Sequence, residues 1–427
     1  MATVSRDLPD RPHIDVPKRE ARELLKDWRA KSPEALDRIR RRHPRFREAA
    51  DATVSTGKFL LNDAQLVIAR EYGFSSWLEL KQRINANTAA GLLQEAIHND
   101  DRESVVRLLR AHPNLLHIPL WSGNWGPPMS HAANLGRLEI IKAIDSLGAR
   151  DHQHAFDRAL LQGKLECARW LHEHGAKLTP GLVMGPCETQ NSEGLELLLQ
   201  LGARICDEQG DRLAPVALVL ETYCRNREGK HACLELLAKQ GIALPDTAPM
   251  ALHRGRRDLL ERHLEQDPSL VNRTFTHEEI YPPELGCHSD QSLALGGTPL
   301  GGGTLLHMCI DFDELKLARW LLSRGADVNA RAIVAADGFG GHTPLFNCVV
   351  AQPERVRESD VFARLLLDRG ADPNVRASLR KRLWGVEDET EHLYHDVTAV
   401  SWGQRFHDQS FVSKPALRLL VERGGMV

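Results

Sequence analysis

Aromatic side chains are scarce in this sequence, at 5% of 427 residues. A surface that stacks single-stranded bases needs aromatic platforms, so nucleic acid is not an expected partner. No charge sign dominates either. The 55 Lys and Arg against 58 Asp and Glu leave a formal net charge of −3 and a pI of about 6.7, without the electrostatic footprint of a whole-protein DNA binder. The eight cysteines (Cys167, Cys187, Cys206, Cys224, Cys233, Cys287, Cys309, Cys348) form no C-x-x-C pair. The common zinc spacings are therefore missing, and reduced thiols packed as small hydrophobes are expected over a disulfide framework. No H-E-x-x-H is present, and no G-K-[ST] follows the glycine-rich stretch Gly296 to Gly303, so neither a metalloprotease helix nor a P-loop is expected. No apolar run is long enough to cross a membrane, and the segment from Met1 to Asp10 has no signal-peptide core. The expectation is a cytoplasmic chain without a membrane partner.

What is present is a short helical period that recurs. From Gly303 to Arg331 the chain reads as two helices and a stop. Thr304 caps the first, Leu315, Leu317, Ala318, Leu321 and Leu322 line one face of the second, and Gly325 is placed for a left-handed cap. A second copy opens on Thr343-Pro344-Leu345-Phe346 and closes on Gly370-Ala371-Asp372-Pro373-Asn374. Weaker openings stand at Pro127 to Ala133, Ala214 to Val216 and Ala248 to His253, and weaker closings at Gly148-Ala149, Gly175-Ala176 and Gly202-Ala203. The T-P-L-H-like front and G-A-D-V-N-A-like back, at this separation, resemble the ankyrin repeat. That resemblance implies an all-α solenoid of roughly nine helix-turn-helix units over residues 90–427. It also implies that His307 hydrogen-bonds within its turn and pins neighbouring repeats. Trp170 and Trp320, each before the Leu of an outer helix, read as packing between repeats, and Trp121 and Trp125 as finger residues open to a partner.

Residues 1–89 differ. Four helices are expected there, the first from Pro17 to Arg29 and the second capped by Ser32, in a segment similar to the helical leader ahead of ankyrin repeats in some bacterial proteins. This module carries roughly five net positive charges, with Arg38, Arg40, Arg41, Arg42, Arg45 and Arg47 crowded together. Glu34, Asp37, Glu48 and Asp51 lie among them, so a compensated, solvated face is expected rather than a phosphate-binding one.

Three long inserts, 273–302, 332–342 and 377–396, interrupt the last repeats. Repeats stack about 10 Å apart, so consecutive fingers lie side by side and can build a shared pocket. Its candidate residues are His277, Tyr281, Glu284 and His288 in the first insert and Asp313 in the turn of the following repeat. Asp337 and His342 belong to the second insert, Arg380 and Arg382 to the third, and Trp402, Arg405 and His407 to the last repeat. Catalytic residues are not assigned. Two chemistries are open. Imidazoles and carboxylates can hold a divalent transition metal, as in a hydrolase or lyase. Arg380, Arg382 and Arg405 can instead clamp a small anionic ligand. The catalytic version requires His288, Asp337, His342 and His407 to converge. The resemblance implies a third function, which leads: a scaffold or adaptor, without a cofactor, that binds another protein through its concave face and fingers.

Overall fold

The computed structural model describes residues 14–427 except 48, 87, 121–123, 289–296, 353–358 and 383–389. Trp121 and Glu48 lie outside the described residues. The chain divides into two compact units, residues 1–155 and 156–427.

The first unit begins with helices Asp15–Arg29, Pro33–Arg42, Asp51–Thr56, Leu61–Glu71 and Trp77–Ala86. Ser32 accepts from the Ala35 N–H and Pro33 occupies the first turn, where its missing donor costs nothing. Leu24, Ile39, Val54, Val67, Ile68 and Leu80 close the core. Asp51–Thr56 is one helix more than the four expected. At 6 residues it is too short to show a helical period. Tertiary contacts hold it: Val54 is fully buried, and its carbonyl accepts from the Trp28 indole N–H at 2.9 Å.

The arginine stretch is largely compensated. Arg38 makes two 2.8 Å hydrogen bonds to the Glu71 carboxylate. Arg41 meets Asp37 at 2.8 Å, Arg45 meets Asp63 at 3.4 Å, and Arg40 pairs with Asp51. Two helical pairs follow, Ala89–His98 with Arg102–Ala111 and Pro128–Leu135 with Leu138–Ser146. Trp125 is half-buried, its ring 4.9 Å from that of His131.

In the second unit the pairs continue: Met184–Glu188 with Ser192–Gln200, Ala214–Glu221 with Arg227–Lys239, and Ala248–His253 with Arg257–Gln266. After the first insert come Leu305–Asp311 with Leu315–Ser323, Pro344–Val349 with Val361–Leu367, and Ala399–Arg405 with Lys414–Glu422. First helices stack on first helices along most of this unit, and among the second helices Ser192–Gln200 packs on Arg227–Lys239 and Val361–Leu367 on Lys414–Glu422, so pairs bury faces that they could not bury alone. Gly325 ends its repeat at φ 94° with open space where a Cβ would point, a left-handed cap that Gly adopts without strain.

The closing asparagines supply a second tie between repeats. Asn272 donates to the Gly325 carbonyl at 3.0 Å and accepts from the Asp327 N–H at 2.7 Å. Asn329 does the same to Gly370 and Asp372, and Asn374 to Gly424 and Met426. Each side chain thus fills one orphan carbonyl and one free N–H in the next repeat.

His307 is fully buried. Its Nδ1 accepts from the Thr304 N–H at 3.0 Å and its Nε2 faces the His342 carbonyl at 3.3 Å. It therefore joins its own turn to the end of the second insert. Trp320 is buried between the guanidinium groups of Arg257 and Arg324, 5.2 and 5.4 Å from its ring. Trp170 is half-buried, and its ring stacks at 3.8 Å on His174 of its own repeat.

All eight cysteines are free thiols, seven of them buried. Among the described residues no helix is long and apolar enough to cross a membrane. The described part of the third insert is a β-hairpin rather than a loop. Strand β1, Ala377–Lys381, pairs antiparallel with β2, His392–Val397, and a bulge stands opposite Ser378. Asp396 takes a positive φ of 49° at that bulge.

Candidate functional site

The three inserts are joined edge to edge by their backbones. Within the first, Thr274 bridges Thr304, the Phe275 N–H donates to the Gly303 carbonyl at 2.8 Å, and the Gly302 N–H donates back to Phe275 at 2.7 Å. The Gly302 carbonyl then accepts from the Ile333 N–H of the second insert at 2.9 Å. Val334 bridges Gly340, and the Gly340 N–H donates to the Ser378 carbonyl at 2.7 Å, which brings in β1 and then β2. Gly340 sits at φ 115°, and a Cβ there would lie 2.0 Å from the Ile333 carbonyl oxygen. Only Gly allows that approach.

Both legs of the first insert are anchored. On the return leg, the Thr298 N–H donates to Val350 at 3.0 Å, while its hydroxyl faces the Phe346 and Val350 carbonyls and accepts from the Trp402 indole at 2.9 Å. On the outgoing leg, Thr276 and Glu279 form a capping box around the short helix His277–Ile280. The Ile280 carbonyl accepts from His253 Nε2 at 2.8 Å, and His253 Nδ1 lies 2.7 Å from Lys230 Nζ. Lys230 is enclosed, its ammonium nitrogen 3.4 Å from the centre of the Phe312 ring. Burial pushes its pKa well below the usual lysine value, and the nearby charge of Arg225 adds to that. Arg225 is itself paired with Asp311 at 3.0 Å, both nearly inaccessible.

Between the joined inserts lies a cavity of about 540 Å³. The first insert contributes Thr276, His277, Pro299 and the Gly301-Gly302 backbone; the second contributes Ile333, Phe339 and His342; the third contributes Leu379, Arg380, Lys381, Arg382 and Glu391. Arg380 reaches Asp337 at 2.7 Å and lies 5.2 Å from the Phe339 ring centre. His342 donates from Nε2 to the Pro299 carbonyl at 2.9 Å. Burial drives its pKa down to about 4, against the opposing effect of that hydrogen bond, so it is neutral at pH 7. His277 likewise commits Nε2 to a carbonyl, that of His288, at 2.9 Å. Arg380, Lys381 and Arg382 supply the cationic groups of the cavity wall, and His342 adds none.

Of the candidate residues, His277, His342, Arg380 and Arg382 line this cavity and Asp337 orients Arg380 from beside it. The others are elsewhere. Tyr281 is a core residue, packed near His253 and Phe312. Trp402 is 0% exposed and holds Thr298 from below. Glu284 borders a separate groove of about 440 Å³. Asp313 holds a positive φ of 59° in its turn, and its carbonyl faces Arg227. His288 takes the Glu221 carboxylate with both its backbone N–H and Nδ1, at 2.7 and 3.0 Å. Arg405 lies 6.0 Å from the Tyr394 ring centre. His407 Nδ1 accepts from the Tyr394 hydroxyl at 2.7 Å, and its ring stacks on His392 at 3.9 Å.

His288, Asp337, His342 and His407 take Glu221, Arg380, Pro299 and Tyr394 as separate partners, which is not the convergence that the catalytic version requires. Among the described residues no group of three or more His, Cys, Asp or Glu is placed to hold one metal ion. The candidate set omitted Ile333, Phe339, Leu379, Lys381 and Glu391. Alternation along Ala377-Ser378-Leu379-Arg380-Lys381 is the signal that would have placed β1.

With that geometry in view, residues 301–333 match the family model of the ankyrin repeat. The chain is also similar to the crystal structure of the human ASB11 ankyrin repeat domain. Identity is 16%, the match covers 70% of this chain and 99% of that one, and the TM-score is 0.28. No curated protein matches the chain. The ankyrin repeat at 301–333 stands in a stack of helical pairs whose three inserts join around the cavity.

Proposed function

We propose that this chain binds a partner protein and that the contact is centred on the cavity between the three inserts. The observation that carries the reading is the backbone ladder running from Thr274 to Val397 through all three inserts. Loops that merely connect helices are short and need no mutual hydrogen bonds. Here three sequence-distant loops are fixed to one another and to the repeats below, which pre-organises a recognition surface before a partner arrives. The catalytic alternative has less to stand on, because the side chains it requires take separate partners.

A photo-crosslinking residue at Ile333, on the cavity wall, tests this directly. The expected result is a discrete crosslinked partner from Ile333 and none from Val421, an equally exposed residue on the last helix. Equal capture at both positions, or capture at neither, would refute the placement.

A further inference from the structure

The cavity wall combines two chemistries that a small inorganic anion would not use together. The lining includes Arg380, Lys381 and Arg382 and one carboxylate, Glu391. Ile333, Phe339 and Leu379 supply apolar wall between and beside them. Ile333 is 47% exposed despite being a large aliphatic residue. Leu393, 49% exposed, is the cross-strand partner of Arg380. Directly paired residues of an antiparallel ladder project on one face, so an uncovered leucine stands beside a guanidinium.

Resting on the reading just given, we propose that the cavity receives a peptide segment of the partner in which acidic side chains alternate with aliphatic ones. A carboxylate entering the cavity meets Arg382 at the exposed end of β1 and Arg380 behind it. Arg380 is already held over Phe339 and against Asp337, so little side-chain freedom is lost on binding. Its pair with Asp337 is half-exposed on both sides, a weak pair in water that leaves the planar fork able to take a second carboxylate. The aliphatic neighbours of that carboxylate cover Ile333 and Leu393. At about 540 Å³ the cavity is in the range that encloses ligands of many atoms. A lone phosphate would leave its apolar walls wet. The His342 imidazole adds no charge, since burial keeps it neutral.

The test uses the full chain and a fluorescein-labelled decapeptide of alternating Glu and Leu, read by polarisation, beside the same peptide with Gln for every Glu. The Glu peptide should bind at least about tenfold more tightly than the Gln peptide, and millimolar inorganic phosphate should not displace it. Arg382→Gln and Ile333→Asp should each weaken it by about tenfold, with unchanged melting temperatures because both side chains are exposed. If Arg382→Gln lowers the melting temperature, Arg380→Gln is the second charge variant, read on protein whose melting temperature and circular dichroism match those of the native chain. Equal binding of the two peptides, displacement by phosphate, undiminished binding by these variants, or no binding of the Glu peptide would each overturn the proposal. If the peptide fails while Ile333 still captures a partner, only the acidic chemistry falls. If capture fails as well, the cavity is not the contact.

Discussion

Replacing His342 by Gln separates two things that this imidazole does. It donates from Nε2 to the Pro299 carbonyl, which a Gln side-chain amide can still do, and it resists protonation, which Gln has no need to do. The His342 pKa is held at about 4 by burial, against about 6.5 in an unfolded chain. Between those values the unfolded state binds the extra proton, so stability rises with pH through the window and is lost on acidification, fully so below the folded value. Going from pH 7 to pH 5, this one residue should cost about 2 kcal/mol of stability. His307, pushed down to about 3 by burial and then by the His342 imidazole, should cost about 2 kcal/mol more over the same interval. Their rings are 5.5 Å apart, so both protonations strain one site. The expected outcome is that His342→Gln loses about 1 kcal/mol at pH 7 through imperfect packing but about 2 kcal/mol less than the native chain between pH 7 and pH 5. Urea unfolding at the two pH values gives the totals. Hydrogen exchange at the Ala332 and Ile333 amides, which bond to His342 and Gly302, localises the effect. An unchanged pH dependence in the variant would refute the assignment of a buried neutral imidazole.

Three further outcomes are expected. Trp402→Phe removes the indole donor to Thr298 and part of a fully buried ring; it should lower stability by about 1–3 kcal/mol in thermal or urea melts while crosslinking from Ile333 persists. Asp311→Ala leaves the buried Arg225 guanidinium without its carboxylate and should cost about 3–5 kcal/mol, visible as a lower urea midpoint. Asn329→Ala removes both bonds to the next repeat and should cost about 1–2 kcal/mol, with earlier proteolysis of the last repeats than of the earlier ones.

The stretch from Gly303 to Arg331 was legible because its signals are local. A cap, a helical period and a terminal glycine all fall within one repeat, so each can be read without knowing its neighbours. Thr304 does cap, Leu317, Ala318 and Leu321 are buried, and Gly325 is left-handed. The hairpin was harder. Arg380, Lys381 and Arg382 read as loop residues, and what makes β1 a strand is partly the Gly340 bond to Ser378 and the pairing with β2, both supplied from outside the segment. Trp402 misled in the opposite direction. Its neighbours Arg405, His407 and Asp408 are polar, so in the sequence it reads as a pocket residue of the last repeat. Yet its helix turns it under the first insert, onto a threonine 104 positions away. The arginines of the first unit show the same dependence, since Glu71, distant in sequence, neutralises Arg38.

Sequence alone therefore determined the repeat, its helices, its closures and the fact that three inserts fall on consecutive units, because chain order fixes neighbours in a stacked array. Tertiary structure decided which insert residues share a cavity, which histidines stay neutral and which tryptophan is core. Those outcomes depend on burial and on hydrogen bonds between segments far apart in the chain, and neither quantity is carried by local spacing.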